Sequence, residues 1–392
     1  MNPLLNPYAP GAGTQPPELA GRDTLLTLAS IAIQRIAAGK SARGVVLTGL
    51  RGVGKTVLLN RIRLEAETKN IITVRMEVPE GRSLPSLLAP ALKSAILKLQ
   101  GGRSASDLLK RGFQALSMFV SAMKLKYQDI EVGFEFENNS TFPHLESLDD
   151  SLTQVIESIG SLAKEKNTAI VFFIDEIHLL PEKELSSLIM ALHRASQDAI
   201  PVTLIAAGLP QIMTAMGEAK TYAERLFEFQ TIAELDEAAA TQALVVPIKK
   251  LNVAYTDDAL QEIINKTARY AYFIQEWGRH AWDVAASSPI TLNDAIQATA
   301  LAQADLDGSF FRMRFEQLTP TQKEYIQAMA ILGKGPHASG EIATQLNKTV
   351  TQISSIRDQL IHKGIIYSPS YGETAFTVPL FDAFIRRTMP TQ

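Results

Sequence analysis

The chain has 392 residues, 46% of them hydrophobic, and its 38 basic and 41 acidic side chains leave a net charge of −3. That length supports two or three domains with a sizeable core, and the near-balanced charge excludes a global electrostatic signal for nucleic acid or membrane. The absence of cysteine excludes disulfides, thiolate catalysis and cysteine–zinc sites. The first twenty residues carry five prolines and read as a lead-in arm, ordered or mobile. They lack a basic start followed by an apolar core, so no secretory signal is expected. No apolar run approaches the length of a membrane span, and a cytoplasmic protein without a membrane partner is expected.

In chain order, Asp23 is placed to cap a helix whose stripe includes Leu26, Ala29, Ile33 and Ile36. Val45, Val46 and Leu47 form a short buried-strand run, and Val57, Leu58 and Ile62 continue beyond it at helical spacing. Residues 71–78 read as the next strand. Residues 82–125 read as mostly helical, broken at Gly101–Gly102. Ile130, Val132, Phe134 and Phe136 then alternate with Glu131, Gly133, Glu135 and Glu137, a strand whose acidic face is either solvated or a partner surface. Residues 169–174 are continuously apolar, as a central parallel strand covered on both faces must be, and residues 201–207 repeat the pattern. Residues 236–307 read as helices only.

The last 80 residues change character. Helices are expected over 318–332, 339–346 and 350–363, the last with core positions Val350, Ile353, Ile356, Leu360 and Ile361. A hairpin over 364–378 follows, turning near residues 370–373. Helix, helix–turn–helix and hairpin in that order match a winged helix-turn-helix.

Two motifs carry chemistry. Gly49-Leu50-Arg51-Gly52-Val53-Gly54-Lys55-Thr56 sits between strand and helix and fits the P-loop pattern G-x-x-x-x-G-K-[ST]. Its glycines let consecutive N–H groups face a phosphate chain at the positive end of a helix. Lys55 then reaches the outer phosphates of ATP, and the Thr56 hydroxyl is a ligand for Mg²⁺. The second motif, Asp175-Glu176, ends the strand 169–174, where ligands of open α/β sheets bind. Asp175 is placed to hold the Mg²⁺ shell opposite Thr56, and Glu176 is the candidate general base for an attacking water. His178 follows them, for core packing or for sensing nucleotide.

With these pieces placed, the chain resembles bacterial AAA-type ATPases of the origin-recognition-like group, from about residue 16 to residue 390. The resemblance rests on ELAGRD (18–23), GLRGVGKT (49–56), FIDEIH (173–178), AAGLPQI (206–212), YAERLF (222–227), YFIQEWG (272–278) and AFTVPLFDAF (375–384). It implies a three-layer αβα P-loop core with a parallel sheet over 21–235, a helical lid over 236–310 and a winged helix over 311–392, after an arm of 1–20. It also implies a catalytic role for Arg225, completing a neighbouring subunit's site, against the plainer reading of an ion pair with Glu224 or Glu228. Arg269 is the matching candidate for a phosphate contact from the lid, although Arg269-Tyr270-Ala271 departs from the Gly-x-Pro step of such relatives. A polar residue usual at the end of the strand 202–207 is replaced by Ala206, Ala207 and Gly208, which implies slow turnover.

The expected function is therefore an ATP-binding, slowly hydrolysing ATPase with Mg²⁺, assembling into nucleotide-dependent homo-oligomers and acting through its winged helix on DNA or a protein partner. The alternative is a STAND-type signalling or defence switch whose winged helix contacts protein. Residues 311–392 contain nine Lys/Arg against six Asp/Glu, a modest basic excess for DNA binding. Thr351, Gln352, Ser355 and Arg357 are the candidate base-reading residues, with Lys348 in the preceding turn as a phosphate contact.

Overall fold

The computed structural model describes residues 1–11, 13–100, 107–123 and 147–389. The acidic strand expected over 130–137, the glycine break at 101–102 and the loop over 138–143 lie outside the described residues. Its centre is a five-stranded parallel sheet in the order β2-β3-β4-β1-β5, formed by β1 (Gly44–Thr48), β2 (Ile72–Glu77), β3 (Ile170–Asp175), β4 (Val202–Gly208) and β5 (Phe227–Thr231). Every residue of β1, β3 and β4 is buried, because helices cover both faces of a parallel sheet.

Alternation divides the strand side chains between two cores. Val45, Leu47, Val171, Phe173, Ile205 and Ala207 point to one face. There they meet Ala29, Ile33 and Ile36 of α1 (Asp23–Ala37) and Leu58 and Ile62 of α2 (Lys55–Thr68). Val46, Phe172, Ile174, Leu204 and Ala206 point to the other. That face is covered by α3 (Leu84–Gln100), α4 (Asp107–Ala122), α5 (Leu148–Glu165), α6 (Glu182–Gln197) and α7 (Ile212–Ala219), with the short α8 (Ala223–Leu226) leading into β5. This is the αβα P-loop ATPase fold that the resemblance implied. The register aligns Thr48 of β1 with Gly208 of β4, while Asp175 ends β3 beside Glu77. The C-terminal ends of β1, β3 and β4 therefore open on one edge.

Residues beyond β5 build a second body. It contains α9 (Glu237–Lys249), α10 (Asp257–Lys266), α11 (Ala271–Val284) and α12 (Leu292–Asp305), then a π-helical turn (Leu306–Phe311) and α13 (Arg312–Glu316). α14 (Pro320–Leu332), β6 (His337–Ala338), α15 (Ser339–Gln345), α16 (Val350–His362), β7 (Ile366–Tyr367), β8 (Glu373–Phe376) and α17 (Phe381–Thr388) complete it. The small sheet has the order β6-β8-β7. Side-chain caps start several of these helices: Asp236 accepts from the Ala239 N–H at 2.7 Å, and Thr319–Gln322 and Thr349–Gln352 form capping boxes.

One apolar cluster runs through the whole of this body, from Leu244 and Trp277 to Ile353, Phe381 and Ile385. The divide expected at 310/311 falls inside it. Phe310 stacks on Tyr272 with ring centroids 5.2 Å apart, while Phe311 packs on Phe384 at 5.4 Å and Phe381 at 5.7 Å. The N-terminal arm is ordered and belongs to the same cluster. Tyr8 is buried, and its hydroxyl donates to the Leu244 carbonyl at 2.5 Å.

The expected core set of α16 needs correction. Ile353 and Leu360 are buried, but Val350 is 49% exposed. It is the first residue after the cap, where the helix has not yet turned its apolar stripe inward. No helix among the described residues is long and apolar enough to cross a membrane.

Candidate functional site

The loop from Gly49 to Gly54 turns β1 into α2. Gly52 has φ of +83° and Gly54 has φ of +94°, left-handed conformations that L side chains rarely adopt. Gly54 is the N-cap of α2, so the first free N–H groups of that helix face the loop's hollow. Lys55 is 6% exposed and donates from Nζ to the Leu50 carbonyl at 2.8 Å. Burial lowers its pKa to about 8, against the pull of the Glu176 and Asp175 carboxylates; the nearby Arg51 lowers it further. A buried cation held by one carbonyl is poised for a stronger anionic partner.

Asp175 ends β3 beside this loop. Burial and the neighbouring Glu176 carboxylate raise its pKa, while hydrogen bonding from the Thr56 hydroxyl and the Glu176 N–H pulls the other way. The Glu176 N–H reaches Asp175 Oδ1 at 2.9 Å, and Glu176 has φ of +52°. Glu176 Oε2 and His178 Nε2 are both buried without a hydrogen-bond partner, although they lie 3.4 Å apart. His178 Nδ1 accepts from the Leu209 N–H, just past the end of β4, at 3.2 Å. Burial pushes the His178 pKa down to about 3, with Arg51 and Lys55 adding to the shift.

Lys55, Thr56 and Glu176 line a cavity of about 420 Å³, within the ~300–1,000 Å³ range of small-molecule sites. Arg51, Gly52, Val53, Gly54, Lys55, Thr56 and Glu176 form its floor. The N-terminal arm supplies one wall, from Ala9 to Leu19, and Tyr272, Gln275, Phe310, Met313 and Arg314 supply the opposite one. Sequence reasoning assigned no site residue to either wall, although ELAGRD (18–23) and YFIQEWG (272–278) contribute Leu19, Tyr272 and Gln275 to them. It also missed Arg22, which lines the cavity and donates to the carbonyls of Val53 at 3.3 Å and Ala233 at 2.8 Å.

The second body sits directly on the loop. The Arg51 N–H donates to the Thr377 carbonyl at 3.0 Å, and the Tyr272 N–H donates to the Gly52 carbonyl at 3.0 Å. Gly364 has φ of +62°, and a Cβ there would come within 2.8 Å of the Arg51 guanidinium. Glycine at 364 lets that guanidinium pass.

Other expected residues lie elsewhere. Arg269 is off the cavity wall: it has φ of +61°, reaches Glu234 at 4.0 Å, and its carbonyl accepts from the Leu235 N–H. The departure from Gly-x-Pro at 269–271 accompanies this turn away from the cavity. Arg225 is exposed on α8 beside a separate shallow cavity lined by His193 and Tyr222. The ion pair considered for it does not form among the described residues, since Glu228 pairs with Arg43 at 3.1 Å.

The candidate base-reading set also needs correction. Thr351 and Ser355 are exposed, but the side-chain Oε1 of Gln352 accepts from the Thr349 N–H at 2.9 Å. Lys348 lies 3.7 Å from Glu324. Arg357 turns into the hairpin, donating to Thr374 Oγ1 at 3.0 Å, Ser368 Oγ at 2.9 Å and the Glu373 carbonyl at 3.0 Å. Helical spacing placed Arg357 on the outer side; the hairpin's oxygens drew it inward.

A further polar cluster, Glu276, His280 and Asp305, has ligand atoms within 4.8 Å of one another. The Arg279 guanidinium already fills it, bonding Glu276 and reaching Asp305 at 3.1 Å.

Residues 18–205 match the AAA ATPase domain family, and residues 308–385 match a domain of unknown function, DUF8462. No curated protein matches the sequence. Among solved structures, the chain is similar to the Walker-type ATPase PABY2304 of Pyrococcus abyssi, with a TM-score of 0.55 and 14% identity over 95% of this chain and 97% of that one. The ORC1 protein of Aeropyrum pernix, solved in complex with DNA, gives 0.48 and 16% over 95% and 94%. Cdc6p of Pyrobaculum aerophilum gives 0.47 and 14% over 99% and 97%. At such identities the likeness to PABY2304 is one of fold. Residues 18–205 are thus similar to AAA ATPase domains, and the likeness of fold to the first of these structures extends over 95% of this chain.

Proposed function

We propose that this protein is an ATP-hydrolysing nucleotide switch whose bound nucleotide sets the position of its C-terminal body on the P-loop. In this reading residues 21–235 are the ATPase core, 236–310 the lid and 311–392 a winged helix, with the arm of 1–20 closing the side of the nucleotide cavity. The residues fit Mg·ATP. The left-handed glycines at 52 and 54 open a cradle of N–H groups, Lys55 lacks a carboxylate partner within ion-pair range among the described residues, and Glu176 Oε2 is buried and unpartnered. Gly49 through Thr56, with Asp175, would hold the phosphates. Thr56 and Asp175 would hold Mg²⁺, which when bound offsets negative charge on the phosphates. Glu176 would take the proton of the attacking water. His178 and the buried strand ends exclude bulk water from that carboxylate.

The observation that carries the switch is the hydrogen bond from the Arg51 N–H to the Thr377 carbonyl. It ties the backbone of the phosphate loop to the end of the β7–β8 hairpin, so a change in loop shape reaches the hairpin without any intermediary. The engaged states of Arg357, Gln352 and Lys348 favour a protein-facing role for the winged helix over DNA reading. Exposed Arg225 is left for a subunit interface. The experiment is calorimetric titration with Mg·ATP and Mg·ADP, combined with hydrogen exchange over 364–378. Binding that changes protection of this segment between the two nucleotides supports the switch; binding with identical protection contradicts it.

A further inference from the structure

Arg314 stands on α13, beyond the AAA domain match and inside the segment matched at 308–385. Even so, it lines the same cavity as Lys55 and Thr56. Its guanidinium lies over the Phe310 ring, 4.0 Å from the centroid, and Nη1 donates to the Phe310 carbonyl at 2.6 Å. Among the described residues neither Arg314 nor Arg51 forms an ion pair with a carboxylate. Both are half-buried and both line the cavity, and Arg51 is close enough to act on the Arg314 charge. Burial and Arg51 lower the Arg314 pKa to about 10.

Two guanidiniums converging on a concave, partly dehydrated space repel each other unless an anion lies between them. A guanidinium lying over an aromatic ring with one nitrogen bonded to a carbonyl still has further N–H donors, which suit phosphate oxygens. Arg51 rides on the phosphate loop, and Arg314 rides on the body that rests upon it. We propose that Arg314 is a phosphate ligand supplied by the C-terminal body to the nucleotide within the same chain, taking the place expected for Arg269. It rests on the nucleotide reading of the cavity.

The consequence is a count of phosphates. A triphosphate brings more negative charge to the pair than a diphosphate, so Arg314 holds the body down more firmly with ATP. Loss of Arg314 weakens the ATP-bound closure and leaves ADP binding nearer to wild type.

The test compares the full-length wild type, Arg314→Ala, Arg314→Gln and Lys55→Ala by calorimetry with Mg·ADP and a slowly hydrolysed ATP analogue. Hydrogen exchange over 364–378 is read in parallel, and circular dichroism verifies folding. The expected result is a tenfold or greater loss of analogue affinity in the Arg314 variants, a smaller loss for ADP, and no analogue-induced protection of 364–378. The Gln variant keeps the apolar stem against Phe310, so it separates charge from packing. Wild-type analogue affinity and protection in a folded Arg314→Gln protein overturn the proposal. Unchanged nucleotide affinity in Lys55→Ala is a different failure, that of the nucleotide site itself.

Discussion

His178 Nε2 lies 3.4 Å from Glu176 Oε2 while its other ring nitrogen accepts the Leu209 N–H. Because Nδ1 is an acceptor, the proton of the neutral ring sits on Nε2, facing the carboxylate. The imidazole thereby links the end of β4 to the candidate base. This is where Ala206, Ala207 and Gly208 left no polar side chain, and a Cβ on Gly208 would come within 3.3 Å of His178 Nδ1. A small residue on the strand and a ring from the neighbouring loop fill the position together.

His178→Ala should therefore keep ATP affinity and lose about tenfold in turnover, because the polar Nε2 that lies 3.4 Å from the Glu176 carboxylate is gone. Steady-state phosphate release and calorimetry on the same sample decide it. Equal loss of binding and turnover would mean that the ring only supports the fold.

Glu176→Gln should retain ATP and slow hydrolysis by about 10²–10⁴-fold, the usual contribution of a positioned base. Single-turnover measurement with prebound ATP checks this. A variant that hydrolyses at the wild-type rate would remove Glu176 from the chemistry.

Lys55 gives a pH signature. Its folded pKa, lowered by burial to about 8, means that the free protein loses this proton as pH rises through 8. Phosphate favours the protonated form. Nucleotide affinity should accordingly be level below pH 8 and fall by up to about tenfold per pH unit above it. Lys55→Ala should weaken binding by several kcal/mol, about the scale of removing one partner from a charged pair. Titrations from pH 6.5 to 9.5 test both statements, and a flat wild-type profile contradicts the first.

Arg225 is exposed and unpaired with its neighbouring acids, so its role is tested by complementation. Mixing Arg225→Ala with Lys55→Ala should restore part of the ATPase rate if a shared interface joins one intact loop to one intact arginine. No recovery at any ratio in an oligomeric sample would place Arg225 outside the chemistry.

Arg357→Ala should destabilise the hairpin by about 1–3 kcal/mol, because Thr374, Ser368 and the Glu373 carbonyl lose a charged donor. It should leave any affinity for duplex DNA as it was. Thermal melting and fluorescence anisotropy report the two effects separately; intact stability with lost DNA affinity would restore the groove-facing reading.

The sheet and the phosphate loop were legible because their causes are local. Residues 169–174 must be covered on both faces to be so apolar, and the glycines at 52 and 54 mark positions that only left-handed backbone explains. Arg314 was not legible, since nothing near residue 314 in the chain reveals that residue 51 lies across a cavity from it. The arm was half legible: its prolines allow no more than the short 3-10 turn Pro3–Leu5, but the burial of Tyr8 among residues 244–282 is a long-range packing event. Arg357 misled for the opposite reason. Its helical spacing was read correctly, yet a long flexible side chain follows hydrogen-bond acceptors rather than the face of its helix.

The unbroken apolar cluster from Leu244 to Ile385 has a mechanical consequence. Material on either side of residue 310 cannot bend separately without parting Phe310 from Tyr272 and Phe311 from Phe384. Relative movement of these two segments would have to break the ring contacts that join them. Were nucleotide to displace the phosphate loop, α16 would be expected to move with it, because the Arg51 N–H is bonded to the Thr377 carbonyl and α16 packs in the same cluster.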